Sequence, residues 1–195
     1  MVHLSKIYQT LEDRGNYEEI KAHGPYFCSI YDSNGKLKQG TKEPWLGEGY
    51  YFWDTRINDA HWWGKQIYRW AGYVICESQY DQNSGLLYDL LGKLDLFDDF
   101  IKCAHFIKQQ RNIDKVSFPL VLEYLKTKTD FPYKAIRVWP DPTLQGIDTK
   151  SGIFFPGEKA NLRSIEKVQI CFFDSTLLSY PYTIAAVASA KNFTI

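Results

Sequence analysis

The chain has 195 residues with 23 basic and 23 acidic side chains, so no global charge draws it to nucleic acid or to an anionic membrane. That balance still permits a local basic patch. Hydrophobic residues at 45% and charged residues at 24% suit one globular domain with a real core, with or without an insertion, and the aromatic share is high at 16%.

Residues 5–10, Ser-Lys-Ile-Tyr-Gln-Thr, predict a short first strand. Asn16 is placed to cap a helix over 16–22, with Glu18 and Glu19 in the first turn where the dipole favours acid. His23-Gly24-Pro25 stops it. A strand over 26–31, a turn at Asp32-Ser33-Asn34-Gly35 and a polar loop over 36–45 ending in Pro44-Trp45 follow. Gly47 and Gly49 then open onto Tyr50-Tyr51-Phe52-Trp53, a ring-rich strand. Asn58 or Asp59 caps the next helix, whose Ala60, Trp62, Trp63, Ile67 and Trp70 line one face.

Residues 71–78 read as a strand and 81–85 as a loop. Leu86, Leu87, Leu90, Leu91, Leu94, Phe97, Phe100, Ile101, Val121, Leu122 and Leu125 recur at helical steps, giving a helical block over 86–128 broken near Asn112 and Pro119. Strands are expected at 135–139, 153–155 and 168–174, with a turn at 156–159. The tail, 183–195, alternates weakly and suits either a final edge strand or disorder. The sum is an α+β fold with strands toward both ends and helices between.

Cys28, Cys76, Cys103 and Cys171 are far apart in apolar settings, which predicts buried free thiols in a reducing cytoplasm and no metal site. No signal-peptide core and no membrane-spanning run is present, so a cytoplasmic protein without a membrane role is expected. No P-loop, Rossmann fingerprint, nucleophile elbow or His-Glu-x-x-His occurs. His23 and His61 suit surface or capping roles, His3 and His105 have no companions at ligand spacing, and Asp98-Asp99 and Glu18-Glu19 suit solvated helix faces. By spacing alone, the rings of residues 50–63 are core first and a flat-walled slot second.

Gly47-Glu48-Gly49-Tyr50-Tyr51-Phe52, followed by Asp59-Ala60 and Trp62, resembles the second signature of ADP-ribosyltransferases, in the branch shared by diphtheria-type toxins and poly(ADP-ribose) polymerases. The resemblance implies that Gly49, Tyr51 and Trp62 frame the nicotinamide of NAD, with the two rings on its faces, and that Asp59 lies near its amide. Asn16-Tyr17-Glu18-Glu19-Ile20-Lys21-Ala22-His23-Gly24 is similar to the helix of the first signature. In the strand before it, Gln9 and Thr10 stand where the family carries His-Gly, and these would orient the nicotinamide ribose and amide. Val168-Gln169-Ile170-Cys171-Phe172-Phe173-Asp174 fits the third signature, with Gln169 in the place of the catalytic glutamate. The loop at 156–166 would recognise the target. The resemblance covers about residues 5–80 and 134–180 and implies a split β-sheet sandwich into which the helical block is inserted as an unmatched segment.

The implied activity is NAD-dependent mono-ADP-ribosylation of a protein or nucleic-acid acceptor, with Gln169, Tyr51 and Gln9 as the reaction residues and NAD as substrate. A bacterial toxin or phage-defence effector fits that activity, and an antitoxin partner would go with it. Glu166 or Glu158, or the acceptor itself, would supply the negative charge that Gln169 lacks. The second reading is a catalytically inactive NAD-binding or protein-interaction module on the same fold. The third is an interaction protein whose ring cluster is plain core.

Overall fold

A computed structural model describes residues 4–32, 34–40, 44–140, 152–154, 161–163 and 167–190. The elements in chain order are β1 (Leu4–Glu12), α1 (Tyr17–His23), β2 (Tyr50–Asp54), α2 (Ile57–Ile67), β3 (Tyr73–Asp81), β4 (Leu87–Asp89), α3 (Leu94–Arg111), α4 (Phe118–Lys128), β5 (Ala135–Val138), β6 (Gly152–Phe154), β7 (Asn161–Arg163), β8 (Gln169–Phe172) and β9 (Leu178–Ala188). The fold is α+β. One mixed seven-stranded sheet runs in the order β4-β5-β8-β2-β1-β3-β9, and β6 and β7 make a separate ribbon. Among the described strands of this sheet, β4 and β5 pair in parallel and the other neighbours are antiparallel.

The period-two alternation of the strands divides the core between the two faces of the sheet. One face carries Ile7, Phe52, Val74, Cys76, Tyr80, Ile170 and Phe172, joined by Ile20 of α1. On the other, Tyr8, Trp53, Tyr73 and Ile75 pack with Ala60 of α2. Further along that second face, Tyr88, Ile136 and Cys171 pack under Phe100 and Ile107 of α3 and Val121 and Leu122 of α4. Burying each large side chain contributes roughly 1.5–3 kcal/mol.

A charged group ties the sheet together from within. The fully buried Asp54 carboxylate accepts from Arg137 Nε at 2.6 Å and from the Tyr80 hydroxyl at 3.0 Å. Arg137 Nη1 lies 3.3 Å from both oxygens of Asp89, whose Oδ1 also accepts from the backbone N–H of Leu91 and Gly92. These contacts link β2, β3, β4 and β5.

Several elements differ from the sequence expectation. Residues 26–31 make two isolated bridges, Cys28 with Gly49 and Tyr31 with Leu37, and no strand. The expected helical block begins with a strand: Leu87–Asp89 pairs in parallel with β5, a run too short to show its own period. Its break at Asn112 holds, with Asn112 in the left-handed region at φ 49°. Pro119 starts rather than breaks a helix, because it sits in the first turn of α4 where no N–H is needed and Ser117 caps. α2 begins at Ile57 after Arg56, so Asn58 and Asp59 lie inside its first turn. It ends at Ile67, which leaves Ile67 53% and Trp70 83% exposed instead of lining the core. Asn16 precedes α1 but turns its amide to Glu19 and does not cap the helix with its side chain. The tail's strand runs over 178–188, pairing along β3, where Pro181 is tolerated on an edge strand. All four thiols are free; Cys76 and Cys171 are buried as expected, but Cys28 is exposed and Cys103 is half-buried. Among the described residues, no helix is long and apolar enough to cross a membrane and no cluster of His, Cys, Asp and Glu suits a metal ion.

Candidate functional site

The three strands bearing the signature positions are neighbours. β8, β2 and β1 lie side by side at the centre of the sheet. Trp53 pairs with Tyr8 on one side and Gln169 on the other, and Tyr51 pairs with Cys171. Tyr51, Trp53 and Gln169 therefore share the face covered by the helices α2, α3 and α4. Thr10 is on that face too, its hydroxyl donating to the Ala60 carbonyl of α2 at 3.0 Å.

Gln9 points to the opposite face, where its amide is saturated. Nε2 donates to the carbonyls of Tyr26 at 2.9 Å and Tyr51 at 3.4 Å. Oε1 accepts from the Tyr26 N–H at 2.9 Å and the Tyr182 hydroxyl at 2.7 Å. An amide has two donors and two lone pairs, so Gln9 can contact a ligand only by giving up one of these bonds. Burial pushes the Tyr182 phenol well above its ordinary range, which keeps it a donor.

Tyr51 is the latch of the loop before β2. Its hydroxyl donates to the Gly47 carbonyl at 2.7 Å and accepts from the Leu46 N–H at 2.9 Å, and burial raises its pKa. Leu46 is fully buried, so its N–H has no access to water. Tyr51→Phe keeps the ring but orphans that N–H, and a loss of about 1–3 kcal/mol is expected in urea unfolding. A loss near zero would show that the loop holds without the hydroxyl.

Trp62 packs edge-to-face on Trp53, with centroids 6.1 Å apart, and Lys167 Nζ sits 4.4 Å from its ring centre. Tyr51 packs into the α3–α4 cluster and Trp62 into the α2 cluster, with Trp53 next after Tyr51 on their shared face. Asp59 is buried. Its Oδ2 accepts the Lys167 N–H at 2.7 Å and lies 3.9 Å from Arg56 Nε, fixing the chain two residues before Gln169. Gln169 is half-buried, and its Oε1 accepts from Trp45 Nε1 at 2.7 Å. Gly49 sits between the strands, bridged to Cys28 and close to Cys171, whose thiol burial pushes up to about 12. Glu158 and Glu166 lie outside the described residues, as does the 156–166 loop apart from β7.

A cavity of about 250 Å³ opens at the end of β1, one residue beyond Thr10. Leu11, Asn16, Glu19, Ile20, Tyr26 and Tyr68 are among its walls, so both the Asn and the Ile of the first signature line it. A second cavity, about 420 Å³, lies between Gly47 and Glu48 of the loop before β2 and Leu122, Glu123 and Lys126 of α4.

No protein-family model, curated protein sequence or solved structure matches the chain.

Sequence reasoning left Trp45, Tyr182 and Arg137 without a role. A lone tryptophan at the end of an otherwise polar loop was the one available signal for Trp45. Tyr182 and Arg137 act through strand pairings that no local pattern records.

Proposed function

We propose that this chain is an NAD-dependent mono-ADP-ribosyltransferase acting on a protein or nucleic-acid acceptor, on an ADP-ribosyltransferase-like fold whose seven main strands form one continuous sheet and not the split pair that the resemblance implies. The observation that carries the reading is the adjacency of β1, β2 and β8, which gathers residues from opposite ends of the chain around one central strand. The nicotinamide would lie against the Tyr51–Trp53–Trp62 face beside Thr10, with Asp59 toward its amide.

In the reaction, the bond from the ribose anomeric carbon to the nicotinamide nitrogen breaks and its electron pair leaves with nicotinamide. The resulting oxocarbenium-like centre is captured by an acceptor atom, which gives up its proton. Ordered rings and hydrogen bonds lower the entropic part of that barrier. With an amide at Gln169, charge stabilisation from that position is absent, at a cost on the order of 10²–10³ in rate. Single transfer to a good acceptor tolerates this better than chain elongation does. A toxin or defence effector with a cognate antitoxin fits such an activity.

The saturated Gln9 amide favours a second reading, an NAD-binding module that does not transfer. Incubating the purified chain with NAD labelled in its adenylate, together with cell lysate with and without nuclease, tests both. Label on protein or on nucleic acid supports transfer and names the acceptor class. Saturable NAD binding without label supports the module. No thermal shift at millimolar NAD overturns both.

A further inference from the structure

We propose that Trp45 is a positioning residue that fixes the polarity of Gln169, so that this position meets a ligand as a hydrogen-bond donor. The ligand group it takes is then an oxygen lone pair, such as that of a sugar hydroxyl or a phosphate. The placement of Gln169 in an NAD site rests on the function proposed above; its polarity rests on geometry alone.

An amide side chain can be turned over to present either end, and its surroundings decide which. The indole N–H is a donor with no acceptor capacity. At 2.7 Å from Trp45 Nε1, the Gln169 atom must be the carbonyl oxygen, because the NH₂ group there would set two donors against each other. The NH₂ group therefore faces away from Trp45, and among the described residues no protein atom accepts from it.

Trp45 cannot easily yield. Its ring packs edge-on against Phe118 of α4 at 5.4 Å, and Phe118 in turn lies 4.5 Å from Phe100 of α3. The next residues are latched by the Tyr51 hydroxyl and by the Gly47 N–H donating to the Pro44 carbonyl at 2.8 Å. The α3–α4 block, which matches no part of the signatures, thus acts as the buttress behind Trp45. A carboxylate at 169 would accept from a ribose hydroxyl; this amide donates to one instead. The positive end of its dipole faces the ligand, the opposite of what an oxocarbenium centre needs.

Nuclear magnetic resonance of the Trp45 indole N–H tests the polarity without any ligand. In Gln169→Leu, which removes the acceptor, the resonance is expected to move upfield and its solvent exchange to accelerate about tenfold, as for a lost bond of ordinary strength. In Gln169→Glu it should move downfield and follow the titration of the new carboxylate. An indole resonance unchanged in both variants overturns the proposal. The link to the ligand is read by calorimetric titration of NAD. Trp45→Phe keeps a ring on Phe118 and frees the amide to turn, so NAD affinity should fall about three- to tenfold while the variant still unfolds in one cooperative step. Unchanged NAD affinity overturns the positioning role. If the wild-type chain binds no NAD at all, the proposed function fails while the indole measurements still decide the polarity.

Discussion

Replacing Arg137 with methionine is expected to destabilise the fold by about 3–5 kcal/mol, because it leaves two inward carboxylates without their counter-charge. The Asp54 side chain is fully buried and that of Asp89 is 10% exposed, so water cannot take over from the guanidinium. Methionine is similar in length and apolar, so lost packing adds little. Against the 5–15 kcal/mol that holds a typical domain, this is a large share. Urea unfolding of the variant measures it. Arg137→Lys should recover only part, since one ammonium cannot repeat contacts spread over Nε and Nη1. Adding Asp54→Asn and Asp89→Asn to Arg137→Met removes the orphaned charges and should restore about 1–3 kcal/mol. A loss below about 1 kcal/mol in the single variant would mean that Asp54 and Asp89 are solvated when Arg137 is gone.

That charged group also shows where local sequence reading ends. β1, α1, β2, β8 and β5 lie where local residues place them: the strand expected over 5–10 runs over Leu4–Glu12, acid sits in the first turn of α1, rings follow Gly49, and the strands expected over 168–174 and 135–139 run over Gln169–Phe172 and Ala135–Val138. β4 does not, because its three residues lie within a leucine spacing that also fits a helix, and only the parallel partner Ala135–Val138 makes them a strand. β9 carries Pro181 and weak alternation; its strand state comes from pairing along β3. The site divides in the same way. Tyr51, Thr10 and Gln169 fall on the face their strand parity dictates, whereas the burden on each polar atom depends on distant partners. Gln9 is held by Tyr26 and Tyr182, Gln169 by Trp45, and Asp59 by the Lys167 backbone. A motif names positions in a strand; it does not say which of their hydrogen bonds are already spent.

Gly49→Ala should be the most damaging single change in the Gly-x-Gly loop, and it separates a steric role for this glycine from a conformational one. A Cβ there would lie 2.5 Å from both the Cys171 Sγ and the Phe172 carbonyl oxygen, closer than real Cβ contacts. The residue cannot shift outward freely, since its N–H and C=O pair with Cys28 at 3.1 and 2.8 Å. Relief must come from moving β2 away from β8, which strains the Tyr51–Cys171 and Trp53–Gln169 pairs. Overpacking of this kind costs about 1–3 kcal/mol, and the strand shift should weaken NAD binding as well. Gly47→Ala makes the comparison. Gly47 has φ +79°, but its Cβ would meet only Leu122 Cδ2 at 3.7 Å, so its cost is the left-handed backbone, about 1–2 kcal/mol. Cys171→Ala distinguishes the two mechanisms in a double-mutant cycle. Combined with Gly49→Ala it removes the sulfur contact and should recover part of the loss, the remainder staying with the Phe172 carbonyl. Combined with Gly47→Ala it should be additive within about 0.5 kcal/mol. Additivity in both cycles would show that β2 and β8 do not press on each other through Gly49.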